Sequence, residues 1–196
     1  MSTHDLYTIP ATGGDATALT TGMAFDSDGK LYVTHFSESR VVVYNTDGSF
    51  AGTFGGGYST PEMLVSDAAG NVYVGNLGGT IRKFAANGTF LQSYATGQVD
   101  FLDLDPDQCT MYYGREGSQV FRYNVCTDAP LATFSNSTTQ AFSLRLLPDK
   151  TMLVANGPNV VRLSPAGTIV QTTRGAASFS TISAMLATSE MSGLRS

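Results

Sequence analysis

The sequence predicts an all-β fold made of a unit of about 40 residues that recurs along the chain. Three sets of aromatic or leucine residues keep this step, at positions 32, 73, 112 and 153, at 44, 84, 123 and 163, and at 54, 94 and 134. Each unit contains four short runs rich in Val, Tyr and Phe. Four antiparallel strands per repeat of this length are typical of a β-propeller blade. We therefore predict a β-propeller of four-stranded antiparallel blades.

The first unit shows how the strands of one blade are delimited. Its four runs cover residues 23–25, 30–33, 40–44 and 49–54. Two of the intervening turns read DSDG and NTDG, and Asp, Asn and Gly tolerate the left-handed backbone of a tight turn. Runs of about five residues rich in β-branched and aromatic side chains favour strands over helices.

Four full units follow one another, and both ends of the chain are less regular. The predicted blades cover residues 21–57, 58–97, 98–136 and 137–173 of a single domain over residues 1–196. Residues 5–20 match the second half of a blade, with Tyr7 in the place of Tyr44. The tail, residues 174–196, either opens another blade at 184–186 or is helical. The ring closes with five blades if the two ends share one; otherwise the chain is a fragment of a six-bladed or larger ring.

The units resemble NHL repeats, within the wider group of SMP-30/gluconolactonase-like propellers. The resemblance rests on GMAFDSDGKLYV followed by RVVVYNTDGSFAGTFG in the first unit, and on PEMLVSDAAGNVYVGN followed by TIRKFAANGTFLQSY in the second. The third and fourth units are more divergent, and the resemblance covers roughly residues 6–173. It implies a propeller fold that serves either an enzyme or a binding platform.

The charge and hydropathy of the chain argue against some kinds of binding partner. The chain has 11 Lys and Arg against 16 Asp and Glu, a net charge of −5, which argues against nucleic acid because its binding relies on neutralising phosphates. No apolar run approaches the roughly 18 residues of a membrane span. The N-terminal residues show no signal peptide.

The chain has two cysteines, both in turns of the third unit. Cys109 falls between the first and second runs, and Cys126 falls between the third and fourth. Alternate turns of a meander emerge at the same edge of a sheet, so we predict a disulfide between them. Such a bond implies an extracellular or periplasmic protein, and two reduced thiols are the alternative.

Polar residues recur directly after the second run of every unit, at His35, Asn76, Arg115 and Asn156. They predict a polar ring that binds a ligand at the mouth of the propeller channel, or simply the solvated start of each loop. Loops that lead into the first run add Glu62 and Asp100 to the same face.

Some side chains on this face carry oxygen atoms that could bind a metal ion. Glu62, Asp100 and Asn76 are candidate ligands for a divalent cation such as Ca²⁺. SMP-30-like enzymes are similar in holding a divalent metal with a few acidic and Asn residues. The alternative is that these carboxylates bind no metal and only stabilise the loops in which they lie. Asp103 and Arg145, in the innermost runs of adjacent units, predict an ion pair near the channel.

The leading functional hypothesis is a non-catalytic NHL-type propeller that binds a protein, a glycan or a small ligand on its channel face. One alternative is an SMP-30/gluconolactonase-like metal-dependent hydrolase or lyase. Another is a scaffold segment of a larger extracellular protein. No catalytic residue is predicted, because the sequence contains no phosphate loop, metalloprotease motif or nucleophile elbow.

Overall fold

A computed structural model describes residues 19–174 as sixteen strands in four antiparallel sheets. The four-stranded sheets confirm the predicted all-β propeller class. The partial blade predicted over residues 5–20 and the tail after residue 174 lie almost wholly outside the described range. Within that range no helix has the length and hydropathy needed to cross a membrane.

Each sheet is a meander of four strands that are consecutive in the chain. The first blade contains β1 (Thr20–Phe25), β2 (Leu31–His35), β3 (Arg40–Tyr44) and β4 (Phe50–Phe54). The second contains β5 (Pro61–Ser66), β6 (Val72–Asn76), β7 (Thr80–Phe84) and β8 (Phe90–Tyr94). The third contains β9 (Phe101–Leu104), β10 (Thr110–Gly114), β11 (Val120–Asn124) and β12 (Ala129–Pro130). The fourth contains β13 (Ala141–Leu146), β14 (Met152–Asn156), β15 (Asn159–Leu163) and β16 (Ile169–Arg174).

Aspartate-based turns join the first two strands of a blade. Asp26 Oδ1 accepts hydrogen bonds from the N–H groups of Asp28 and Lys30, both at 2.9 Å. Gly29 follows with a φ of 80°, a conformation that glycine adopts without steric cost. The same arrangement recurs at Asp67 in the second blade, so the repeated Asp-Gly signal specifies the same hairpin twice.

Neighbouring blades pack through apolar side chains that alternate along each strand. In β6, Val74 lies in a cluster with Val41 of the first blade, whereas Tyr73 lies in a cluster with Met111 of the third. A similar cluster joins the third and fourth blades. The first strands β1, β5, β9 and β13 contact one another in that order and form the innermost layer. A blade between two neighbours is therefore buried on both faces.

β-Bulges interrupt three of the four innermost strands near their beginning. The strand register shifts between Thr20 and Met23 in β1, and between Pro61 and Met63 in β5; β13 shows a comparable shift. A bulge inserts an unpaired residue and changes the direction of its side chain. In β5 that residue is Glu62.

The predicted ion pair between the innermost strands is confirmed. Arg145 Nη1 lies 3.6 Å from Asp103 Oδ1, and the Asp103 side chain is 7% exposed. Asp103 Oδ2 also accepts a hydrogen bond from Leu146 N–H at 2.8 Å. The carboxylate of the third blade thus holds the first strand of the fourth by its backbone.

The predicted disulfide between Cys109 and Cys126 is also confirmed, with Cα atoms 5.2 Å apart. It lies in the blade whose outermost strand, β12, has two residues where the other blades have five or six. One of those two is Pro130, which cannot donate a backbone hydrogen bond. The disulfide therefore reinforces the blade with the shortest outer strand.

Reduction of the disulfide is expected to destabilise the fold. Its cysteines are 17 residues apart in sequence, and closing a loop of this size stabilises a protein by about 3 kcal/mol. For a chain of this length the loss corresponds to a melting temperature roughly 6–12 °C lower. Thermal denaturation with and without dithiothreitol measures it, with the double variant C109S/C126S as the control that must not respond. Equal melting temperatures for the oxidised and reduced protein would contradict this role.

Candidate functional site

An open cleft of about 440 Å³ lies where the first three blades meet, beside the beginnings of the innermost strands β5 and β9. We call it the mouth cleft. Its lining residues are Phe36, Glu62, Leu77, Gln98, Asp100, Arg115, Glu116 and Gly117. Three of the six candidates predicted from the sequence therefore meet here, namely Glu62, Asp100 and Arg115. The other three do not line the cleft.

Three of the five lining residues that were not predicted from the sequence share one position in the repeat. Phe36, Leu77 and Glu116 each come directly after a member of the predicted polar ring. In the first two blades the second strand ends at a buried ring residue, His35 or Asn76, and the residue after it lines the cleft. In the third blade the ring residue Arg115 is exposed and lines the cleft together with Glu116.

Asn76 and Asn156 are buried and hold the loop that leads into the first strand of their own blade. Asn76 Oδ1 accepts a hydrogen bond from Ser59 N–H at 3.1 Å, and its Nδ2 donates to two backbone carbonyls. Asn156 Oδ1 accepts from the N–H groups of Thr139 and Gln140, at 2.7 and 2.9 Å. These bonds give both amides a structural role, and ligand binding by the ring stays a prediction.

The other two ring positions differ from the asparagines and from each other. His35 is 3% exposed, and its Nδ1 lies 3.4 Å from Glu38 Oε2. Arg115 is exposed at the rim of the mouth cleft. Its guanidinium packs over the ring of Phe121 and donates a hydrogen bond to Thr96 O at 3.3 Å. Arg115 therefore presents a positive charge at one side of a cleft that is otherwise acidic.

In the second and fourth blades, Asn76 and Asn156 at the end of the second strand accept hydrogen bonds from the loop before the first strand. In the third blade the hydrogen bond runs the other way, and the acceptor is Asp100. Here the acidic residue is in the loop before the first strand, and its Oδ2 accepts a hydrogen bond from Glu116 N–H at 2.5 Å. The other oxygen, Oδ1, is buried and has no hydrogen-bond donor among the described residues. Burial raises the pKa of the Asp100 carboxyl group, against the hydrogen bond from Glu116 and the charge of Arg115. Asp100 therefore has one oxygen with unused acceptor capacity.

Glu62 is the residue that the β5 bulge inserts, and its environment favours the protonated form. Burial raises the pKa of its carboxyl group to about 7. A hydrogen bond with Thr21 opposes this shift, whereas the charges of Asp100 and Glu116 add to it. Three carboxyl groups from two blades thus influence one another in the mouth cleft.

The predicted metal ligands do not come together as a site in the described part of the chain. Residues 19–174 contain no group of three or more His, Cys, Asp or Glu side chains placed to hold a metal ion. The third candidate ligand, Asn76, has its side-chain oxygen engaged by Ser59 N–H. A hard cation such as Ca²⁺ takes six to eight oxygens. Residues 19–174 therefore show no acidic side-chain cluster of the kind that holds such a cation.

The pKa of Glu62 makes stability depend on pH. In the unfolded chain this group titrates near its ordinary value of 4.5, so between pH 4.5 and about 7 the folded state binds more protons. Its contribution therefore favours folding at low pH and is lost as pH rises through 7. We expect E62Q to melt about 2–4 °C above the parent protein at pH 8, corresponding to about 1 kcal/mol after solvent screening, and at the same temperature at pH 4. A difference that does not change with pH would contradict this assignment.

Comparison with known proteins supports the β-propeller fold and indicates no ligand or reaction. No family model matches the chain, and no curated protein matches it. Among solved structures, 1219 chains match, and a fold shared so widely does not specify a function. One is hydrazine synthase from Kuenenia stuttgartiensis, which contains a β-propeller. It matches with a TM-score of 0.65 at 15% identity, over 83% of this chain and 52% of that one. This chain thus spans about half the length of that protein, and the likeness shows a β-propeller fold alone.

Proposed function

We propose that this chain is a non-catalytic β-propeller of the NHL type that binds a ligand in the mouth cleft. The observation that carries the proposal is the free acceptor of Asp100. Its Oδ1 atom is buried, belongs to a residue that lines the cleft, and has no donor among the described residues. A buried acceptor without a partner costs about 1–3 kcal/mol, and a ligand that donates a hydrogen bond recovers this free energy.

The lining of the cleft indicates which ligands suit it. The carboxyl groups of Glu62, Asp100 and Glu116 offer oxygens that accept hydrogen bonds, so a ligand with hydroxyl or ammonium donors suits the cleft. Phe36 and Leu77 add apolar surface that can cover a sugar ring or the aliphatic part of an amine. A glycan, a small amine or a basic side chain of a protein partner each combines these two properties.

A second candidate function, a hydrolase or lyase related to SMP-30, is favoured by one observation. Glu62 has a pKa of about 7, and a carboxyl group tuned to this value can exchange protons with a substrate near neutral pH. The metal that this group of enzymes employs is not supported by the described residues. We therefore rank the enzyme below the binding module.

We also infer an extracellular or periplasmic location. Disulfides persist in oxidising compartments, and the Cys109–Cys126 bond is accessible because Cys126 is exposed. In such a location the propeller serves as a separate binding module or as the scaffold segment of a larger protein.

The binding proposal is tested by NMR titration with two probes, a neutral trisaccharide and a lysine-containing tripeptide. We expect saturable shifts of the Leu77 and Glu116 amides with at least one of them. The variant D100N should bind about 10–100-fold more weakly, because it removes a charge-assisted hydrogen bond. D28N makes the same chemical change in an exposed turn and should bind normally. The proposal is wrong if neither probe gives saturable shifts, or if D100N and D28N bind alike.

Metal addition separates the two candidate functions. We expect the melting temperature to stay within about 1 °C when CaCl₂ replaces EDTA, since a ligand stabilises only a native state that binds it. A rise of several degrees that is absent in E62Q would favour the metal-dependent enzyme instead.

A further inference from the structure

A second set of polar groups lies outside the mouth cleft, where the second blade packs against the first. Arg82 is in β7 and pairs with Val74, whose side chain packs toward the first blade. The other three blades have apolar residues at the equivalent place in the third strand, namely Val42, Phe121 and Val161. An arginine at this position departs from the pattern of the repeat.

At the next position of the third strand, the second, third and fourth blades have a Lys or an Arg, and each of these side chains has an acceptor. Lys83 Nζ lies 3.5 Å from Asp67, Arg122 Nε donates to Ala132 O at 3.0 Å, and Arg162 pairs with Asp149. These side chains follow the ordinary rule that a partly buried cation has a partner.

Arg82 has no such acceptor. Among the described residues the Arg82 side chain forms no hydrogen bond and no ion pair, and its Nε is buried and unsatisfied. The guanidinium carbon lies 4.4 Å from the ring centroid of Phe90 and 5.8 Å from that of Phe84. A ring attracts the cation through its face, but the N–H donors lie in the plane of the guanidinium and still need acceptors.

A glycine loop supplies further donors beside this arginine. Gly55, Gly56 and Gly57 join β4 to the second blade, and all three are exposed. A Cβ atom on Gly57 would lie 3.0 Å from Arg82 Nη2, so the loop backbone sits directly against the guanidinium. The N–H groups of Gly56, Gly57 and Tyr58 donate to no other described residue. Backbone N–H groups in turns with left-handed residues are a common anion-binding arrangement, and Gly55 and Gly57 have φ values of 60° and 68°.

We propose that Arg82 and the loop of residues 55–58 bind a tetrahedral oxyanion of the phosphate or sulfate type. The anion accepts charge-assisted hydrogen bonds from the guanidinium and further bonds from the loop N–H groups. Phe90 is 46% exposed beside the guanidinium and offers apolar surface to the organic part of a phosphate or sulfate ester. The chain as a whole has a net charge of −5, so attraction of an anion depends on this local arrangement.

The test is a titration of the full chain with inorganic phosphate and with inorganic sulfate at constant ionic strength. The NMR signals of the Gly56 and Gly57 amides report binding. The variant R82M removes the guanidinium and places an apolar side chain where the other blades have one, so it is expected to fold. The matched control is R122M, because Arg122 also lies over a ring, that of Phe134, but has a carbonyl partner.

We expect saturable shifts in the parent protein and in R122M, and at least tenfold weaker binding in R82M. Glucose 6-phosphate distinguishes an ester from the free ion. If it binds more tightly than phosphate and this advantage is lost in F90A, the site takes esters; equal affinity identifies a free oxyanion site. Absence of saturable shifts at Gly56 and Gly57, or equal shifts in a folded R82M, would overturn the proposal and leave Arg82 as a packing residue over Phe90.

Discussion

Burial of both faces of a blade is the constraint on which the rest of the structure depends. Tyr73 and Val74 are consecutive in β6, yet they pack into clusters shared with different neighbours. Apolar burial stabilises by roughly 25 cal/mol per Å², so the large aromatic side chains of these clusters fix how the blades sit together. Polar contacts between the innermost strands also join neighbouring blades. Asp103 of the third blade, for example, binds the backbone and a side chain of the fourth.

The mouth cleft is a consequence of this packing. Glu62 and Asp100 belong to different blades, and each lies near the start of an innermost strand. Contact between β5 and β9 brings the two carboxyl groups into one partly buried space. Burial is the largest cause of the raised pKa of each group, so the electrostatic character of the cleft follows from the fold. The amides of Asn76 and Asn156 support the loops around it.

The repeat made the fold predictable, because the same hydrophobic spacing recurs about every 40 residues and Asp-Gly turns mark the hairpins of the first two units. The disulfide was predictable too, because two turns of one meander emerge at the same edge. The cleft was predictable only in part. Spacing located the ends of the second strands, but it could not decide whether Asn76 or Leu77 faces the open side. No feature of the sequence singled out Arg82, because whether the described residues offer its side chain an acceptor depends on how the blades and the loop of residues 55–58 pack around it.

Blade packing brings Glu62 and Asp100 into one partly buried cleft. The most direct measurement is a carboxyl-carbon NMR titration of Glu62 in the parent protein and in D100N. We expect a pKa of about 7 in the parent protein and a lower value in D100N, because a neighbouring negative charge is removed. A pKa near 4.5 that D100N leaves unchanged would contradict this arrangement, since the two side chains would then be neither buried nor adjacent.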